Sequence, residues 1–157
     1  MRKVKRVEDS LTEQAYMVMP QHINGYGRLF GGNLMQWIDI MAGIVSKRHA
    51  ETEITTVAVD NLYFKHGAYL NDMVVLVGKM TYVGKTSMEV RVDTYKEELD
   101  GTRRMINRAY VVMVGIDKEE KPVEVPLLLV DTAVQKAEWE SGIKRYELRK
   151  ARRIEGY

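Results

Sequence analysis

One long, strongly apolar helical stretch followed by four segments of strand character constrains this fold more than any other feature of the chain. From about Gly32 to His49, Leu34, Ile38, Met41, Ala42 and Val45 recur at helical spacing as one stripe, and Trp37 and Ile44 widen it. Ile40 lies off the stripe, so the helix should be covered on most of its circumference. Asp39 falls beyond the stripe's other edge, near Gly43 and Ser46. A short strand, Gln14 to Met19, precedes the helix and stops at Pro20. After it come Ile54 to Phe64, Met73 to Val83 with Gly78 as a bulge or bend, Ser87 to Tyr95, and Arg103 to Ile116. In the third, Met88, Val90, Val92 and Thr94 alternate with Glu89, Arg91, Asp93 and Tyr95, a half-buried pattern. In the fourth, Met105, Ala109, Val111 and Met113 share a face, with Asn107 the polar exception. Turn signals at Gly84-Lys85-Thr86 and Leu99-Asp100-Gly101 make the last three an antiparallel meander. The class is α+β, a sheet wrapped around a helix. Too few strands are present to close that sheet, so its edges call for a second copy and a dimer is the expected minimum.

The flanks read differently. Residues 1–10 look like a frayed or partner-dependent arm. After Pro126, Thr132 with Gln135 forms a capping-box signature, and Trp139, Ile143 and Tyr146 make a narrow stripe on a charged surface helix that Gly142 should weaken. We therefore divide the chain into a domain over residues 1–130 and a charged C-terminal helix over 131–157.

Bulk composition excludes several classes. The 157 residues fit one domain with a real core, and a net charge of +2 is no nucleic-acid footprint. The arginines of the last helix are interleaved with glutamates, as on a salt-bridged solvated face. There is no cysteine, hence no thiolate nucleophile, and three scattered histidines suggest no metal site. The basic N-terminus turns acidic and polar before any apolar run, and no stretch has the length of a membrane span, so a soluble cytoplasmic protein is expected.

The chemistry concentrates where the helix begins, in NGYGRLFGGNLMQWIDIMAG. Gly31-Gly32 at a loop-to-helix junction lets a ligand approach the backbone closely, and free helix N–H groups there suit an anion or a developing oxyanion. Asn24 brings a carboxamide and Asp39 a carboxylate, a set suited to splitting an acyl group from a carrier. Each residue also has an ordinary reading: Asn-Gly is a strong turn signal, paired glycines allow close packing, and aspartates are commonly exposed on helices.

Five motifs in order resemble the hotdog-fold acyl-CoA thioester hydrolases of the cytosolic type. They are MPxxxN from Met19 to Asn24, FGGxLMxWxD from Phe30 to Asp39, the TTVAVDxLxF strand, GKTSMEV from Gly84 to Val90, and PVEVP from Pro122 to Pro126. The charged tail ending KRYELRKARR also fits. The resemblance implies an antiparallel sheet wrapped around one long helix, dimers sharing a continuous sheet, and a trimer of dimers. It also implies that Asn24 and Asp39 are the catalytic pair, contributed from opposite subunits. Asp39 would act as general base or nucleophile, Asn24 would orient water or the thioester carbonyl, and backbone N–H groups near Gly31 and Gly32 would hold the oxyanion. Lys85, Thr86, Ser87 and Arg103 or Arg104 are candidates for coenzyme A contacts, from a neighbouring subunit where needed. No metal or organic cofactor is implied, coenzyme A being part of the substrate. Met35 and Met41 suit an adaptable acyl pocket, although methionine is first of all core filler.

Two departures stand out. The family's FxxP turn followed by Gly-Asp is replaced by Phe64-Lys65-His66-Gly67 and Asn71-Asp72, and Tyr26 stands where a second asparagine is common. The alternatives on the same fold are an enoyl-thioester hydratase and a non-catalytic CoA-binding regulator. The first typically needs a histidine near the helix start, where this chain has Phe30.

Overall fold

The computed structural model describes residues 1–60 and 62–157. In chain order it contains β1 (Val4–Arg6), β2 (Thr12–Met17), α1 (Gly31–Ala50), β3 (Glu53–Asp60), β4 (Met73–Val83), β5 (Ser87–Glu97), β6 (Arg103–Ile116), β7 (Leu127–Leu129) and α2 (Ala133–Glu155). Five strands form one antiparallel sheet in the order β2-β4-β5-β6-β3, which leaves β2 and β3 as its edges. The expected meander is β4-β5-β6. Helix α1 lies across one face and buries Leu34, Trp37, Ile38, Met41, Ala42 and Val45 against Val90, Val92, Ala109, Val111 and Met113. Tyr16 on β2 stacks on Trp37 with ring centroids 4.2 Å apart, which ties the sheet edge to the helix. The strand predicted over Ile54 to Phe64 is shorter than expected: β3 ends at Asp60, and Asn61, which the sequence puts inside it, lies outside the described residues.

Three expectations are corrected. Residues 1–10 are not frayed, because β1 pairs in parallel with β7 and Ser10 is fully buried. Gly78 is not a bulge. A Cβ there would lie 2.8 Å from the Met41 side chain, so glycine lets α1 settle onto β4, and the register shift falls between Met80 and Tyr82. The outer face of β5 is not solvated either, since Glu89 is buried under α2 and Asp93 is buried beside Arg91 and Arg108.

Gly142 is what lets α2 dock. It is the one buried residue of that helix, and a Cβ there would come 2.7 Å from Tyr82 Cβ and 3.2 Å from Glu89 Oε1. Helix propensity alone favours Gly142→Ala by about 1 kcal/mol. Overpacking against Tyr82 Cβ, which moves only with its strand, costs about 1–3 kcal/mol and should win. We expect Gly142→Ala to lower the melting temperature, and thermal unfolding followed by Trp139 fluorescence checks the sign.

Candidate active site

The loop before α1 is a small hairpin. Asn24 N–H donates to Arg28 O at 2.8 Å, Gly27 N–H to Asn24 O at 3.0 Å, and Phe30 N–H to His22 O at 2.8 Å. Asn33 Nδ2 in the first turn of α1 donates to the same His22 carbonyl at 3.1 Å, which locks the hairpin to the helix start. Within the hairpin, Asn24 Oδ1 accepts from Tyr26 N–H at 2.9 Å and from Arg28 N–H at 3.3 Å. Its acceptor is therefore used by its own loop, and its Nδ2 donors are left for a ligand. Asn33 N–H and Leu34 N–H both turn back to Phe30 O, whereas Gly31 N–H and Gly32 N–H have no backbone acceptor among the described residues. Gly32 lets the Phe30 ring lie over the helix start, since a Cβ there would come 2.6 Å from that ring and displace it. Asn24 and Gly31 line one cavity of about 330 Å³.

Asp39 stands two turns further along α1, some 12 Å from Gly31 at 1.5 Å per residue. It is exposed, with Met35 and Ile40 exposed beside it on α1. Its Oδ1 accepts the Thr56 hydroxyl at 2.7 Å. Thr56 comes from β3 and is paired in register with Met113, whose sulfur lies 3.3 Å from the same hydroxyl. Asp39 and Thr56 are the polar members of a second cavity, about 280 Å³, otherwise walled by Met35, Ile38, Val59 and Leu62. Among the described residues of one protomer, Asn24 and Asp39 thus line different cavities.

Thr56 is the site residue that sequence reasoning missed. Its motif was recognised, but only the β3–β6 register turns the hydroxyl toward the helix.

The candidate coenzyme A contacts divide. Lys85, Thr86 and Ser87 occupy the β4–β5 turn, which is rigid: Gly115 N–H donates to Thr86 O at 3.0 Å, Val125 N–H to Lys85 O at 3.0 Å, and Arg2 reaches Gly84 O at 2.9 Å. Gly115 packs against Thr52, so the turn lies at the C-terminal end of α1, opposite Asn24 and Gly31. Arg103 pairs with Glu97 at 2.9 Å and with Glu13, so its charge is shared between two carboxylates. A larger open hollow of about 560 Å³, between Lys47, Thr52 and Lys118, contains neither Asn24 nor Asp39. Among the described residues no group of three His, Asp or Glu side chains could hold a metal ion.

Comparison with known proteins gives this geometry its context. Residues 26–101 match the thioesterase superfamily. An uncharacterized acyl-CoA thioester hydrolase of Bacillus subtilis is 34% identical over 149 residues, covering 88% of this chain and 87% of that one. The cytosolic acyl coenzyme A thioester hydrolase of Rattus norvegicus is 31% identical over 150 residues, 94% of this chain but 39% of that longer protein. In backbone, an acyl-CoA hydrolase from Staphylococcus aureus, solved with butyryl coenzyme A and coenzyme A, superposes with a TM-score of 0.91 at 31% identity, covering 97% and 93% of the two chains. That enzyme has also been solved with single aspartate, asparagine and threonine side chains replaced by alanine. A hexameric acyl-CoA thioesterase superposes with a TM-score of 0.91 at 34% identity, covering 96% and 97%. Alike in sequence and backbone over nearly its whole length, the chain belongs to the acyl-CoA thioester hydrolases of the thioesterase superfamily.

Proposed function

We propose that the chain hydrolyses acyl-CoA to a free carboxylic acid and coenzyme A, with Asp39 as general base or nucleophile. The observation that carries this reading is the Thr56–Asp39 pair in an otherwise apolar cavity. A hydroxyl has one proton, and by giving it to Oδ1 Thr56 fixes the rotation of the carboxylate. Oδ2 remains to take a proton from water or to attack the carbonyl carbon. Either way the C–S bond breaks, the coenzyme sulfur leaves as a thiolate that is then protonated, and the carbonyl oxygen bears the intermediate charge; on the nucleophilic route water then cleaves the mixed anhydride, releasing the acid and restoring the Asp39 carboxylate. Asn24 Nδ2 and the Gly31 and Gly32 amides are donors suited to that oxyanion. Met35, Ile38, Val59 and Leu62 suit an aliphatic acyl chain. No metal or organic cofactor enters the scheme. The replacements in the staphylococcal enzyme support the same trio, because its asparagine, aspartate and threonine are spaced by 15 and 17 residues, as Asn24, Asp39 and Thr56 are here.

Because Asn24 and Asp39 of one chain line separate cavities, the reading requires a partner whose Asn24 meets this Asp39. Strand β3 offers the surface: it is a sheet edge with Val57 and Val59 exposed, beside exposed Met35 and Ile40 on α1. Pairing of two β3 edges gives a dimer with a continuous sheet, and three dimers give a hexamer like that of the related thioesterase. In that assembly Lys85, Thr86 and Ser87 serve the coenzyme from a neighbouring subunit. We assign the protein to the cytoplasm: among the described residues no helix is long and apolar enough to cross a membrane, and the rat relative is cytosolic.

Free-thiol release from a panel of acyl-CoAs, short to long, tests the activity, and subunit mixing tests the shared site. Asn24→Ala and Asp39→Ala proteins should each be inactive, and random re-pairing should restore about a quarter of wild-type activity, since half the dimers then carry one intact site. Verified mixed dimers with no activity would refute the shared site.

A further inference from the structure

Asn107, the polar exception in the apolar pattern of β6, is fully buried. The β5–β6 register shifts beside it: Thr94 pairs with Asn107 and Tyr95 with Met105, so Ile106 and Asn107 are buried side by side. Neither Asn107 Oδ1 nor the Thr94 hydroxyl, itself fully buried, has a hydrogen-bond partner among the described residues. Unpaired buried polar atoms cost free energy, so core packing does not account for an asparagine here. What the side chain supplies is a donor: Nδ2 bonds to Tyr63 O.

That carbonyl belongs to a segment that walls both cavities of the site. The β3–β6 ladder ends at the Asp60–Tyr110 pair. Beyond it, among the described residues, two hydrogen bonds tie residues 62–65 to β6: Asn107 Nδ2 to Tyr63 O, and Lys65 N–H to Ile106 O at 3.0 Å. Leu62, one residue before Tyr63, lines the Asp39 cavity with Met35, Ile38 and Val59. Phe64, one residue after, lines the Asn24 cavity, its ring 3.4 Å from where a Gly31 Cβ would stand. Asn107 itself lines neither cavity. It reaches the site through the backbone it holds.

We propose that Asn107 is a positioning residue that sets the acyl-chain length the site accepts, acting through Leu62. The inference rests on the thioesterase reading of the Asp39 cavity. A cavity of about 280 Å³ takes a limited length of aliphatic chain, and an apolar wall discriminates between chains only while it stays in place. With Tyr63 O released, Leu62 yields to a longer chain and closes less well on a short one.

The test is calorimetric binding of a series of uncleavable thioethers, S-ethyl-CoA to S-decyl-CoA, to wild type, N107L, N107A, L62A and the N107L/L62A double variant. In the wild type, affinity should rise roughly threefold to fourfold per methylene until the chain meets the Leu62 wall, and then level off. N107L keeps the volume and N107A does not, yet both lose the donor, and both should move the levelling point to longer chains by about two carbons or more. L62A should move it in the same direction, and the double variant no further than L62A, because Asn107 acts through that wall. A merely structural loss scales all affinities alike and leaves the levelling point where it was. An unmoved levelling point in N107L and N107A, a further shift in the double variant, or a wild type that binds none of the series or never levels off overturns the proposal. Failure of both Asn107 variants to fold assigns the residue to folding and overturns it too. Thioethers are not hydrolysed, so a protein that binds them but releases no thiol from acyl-CoA sinks the thioesterase reading and leaves the length dependence legible.

Discussion

Asp39→Asn should lower kcat by about 10²–10⁴-fold and leave the fold and the melting temperature nearly unchanged. The two halves of this expectation have separate causes. Asp39 is exposed on α1 and its one side-chain partner among the described residues is the Thr56 hydroxyl, which can donate equally well to an asparagine oxygen. Little packing is therefore lost. What disappears is the bare carboxylate oxygen, and an amide neither takes a proton from water nor forms an anhydride. Thr56→Val should act in the same direction but less, because it frees the carboxylate to rotate without removing it. Hence the order of rates is wild type, Thr56→Val, Asp39→Asn. Steady-state thiol release for the three proteins, with circular dichroism as the fold control, reads that order directly. An Asp39→Asn enzyme that keeps a tenth or more of the wild-type rate would mean that the nucleophile or base lies elsewhere.

How far this site could be read from the sequence follows from what each residue depends on. Asn24, Gly31, Gly32 and Asp39 lie within 16 consecutive residues, so local spacing identifies them as a set. Helix α1 and strands β4 and β6 are equally legible, because their apolar patterns are long. Thr56 was not, since its role is created by β3 pairing to β6 and by α1 crossing that pair. Arg103 shows the same limit in reverse: it reads as a free cation until folding brings Glu13 and Glu97 to it. Gly78 and Gly142 read as defects in a strand and a helix, but their meaning lies in the Met41 and Tyr82 side chains that press on them. Strand β1 escaped because three residues pairing in parallel with a distant triplet carry no local signal.

The largest stability effect should come from Glu89, remote from the chemistry. Its side chain has no exposed surface. It accepts two bonds from Arg145, at 2.8 and 2.9 Å, one from Arg149 at 3.1 Å and one from the Thr81 hydroxyl at 2.7 Å. Arg149 bridges onward to Asp60 at 2.6 Å, where Arg152 joins at 3.2 Å. A buried ion pair is by itself weak evidence of stability, because desolvation offsets most of the attraction. Removing one member is another matter. Glu89→Ala strands the Arg145 guanidinium under α2 and leaves Arg149 only Asp60 and the Thr81 hydroxyl only the backbone carbonyl of residue 89, at a cost of about 3–5 kcal/mol out of a total of about 5–15 kcal/mol. At about 2–4 °C per kcal/mol for a chain of this size, the melting temperature should fall by roughly 6–20 °C. Glu89→Gln keeps acceptor and volume and should lose less. The network also ends on Asp60, next to Val59 in the wall of the Asp39 cavity. Residual thiol release by folded Glu89→Ala protein should therefore shift in acyl-chain preference before it disappears. A drop of only a degree or two would mean that α2 is held by its apolar contacts, Trp139 and Tyr146 on Tyr82, and that the arginines merely follow.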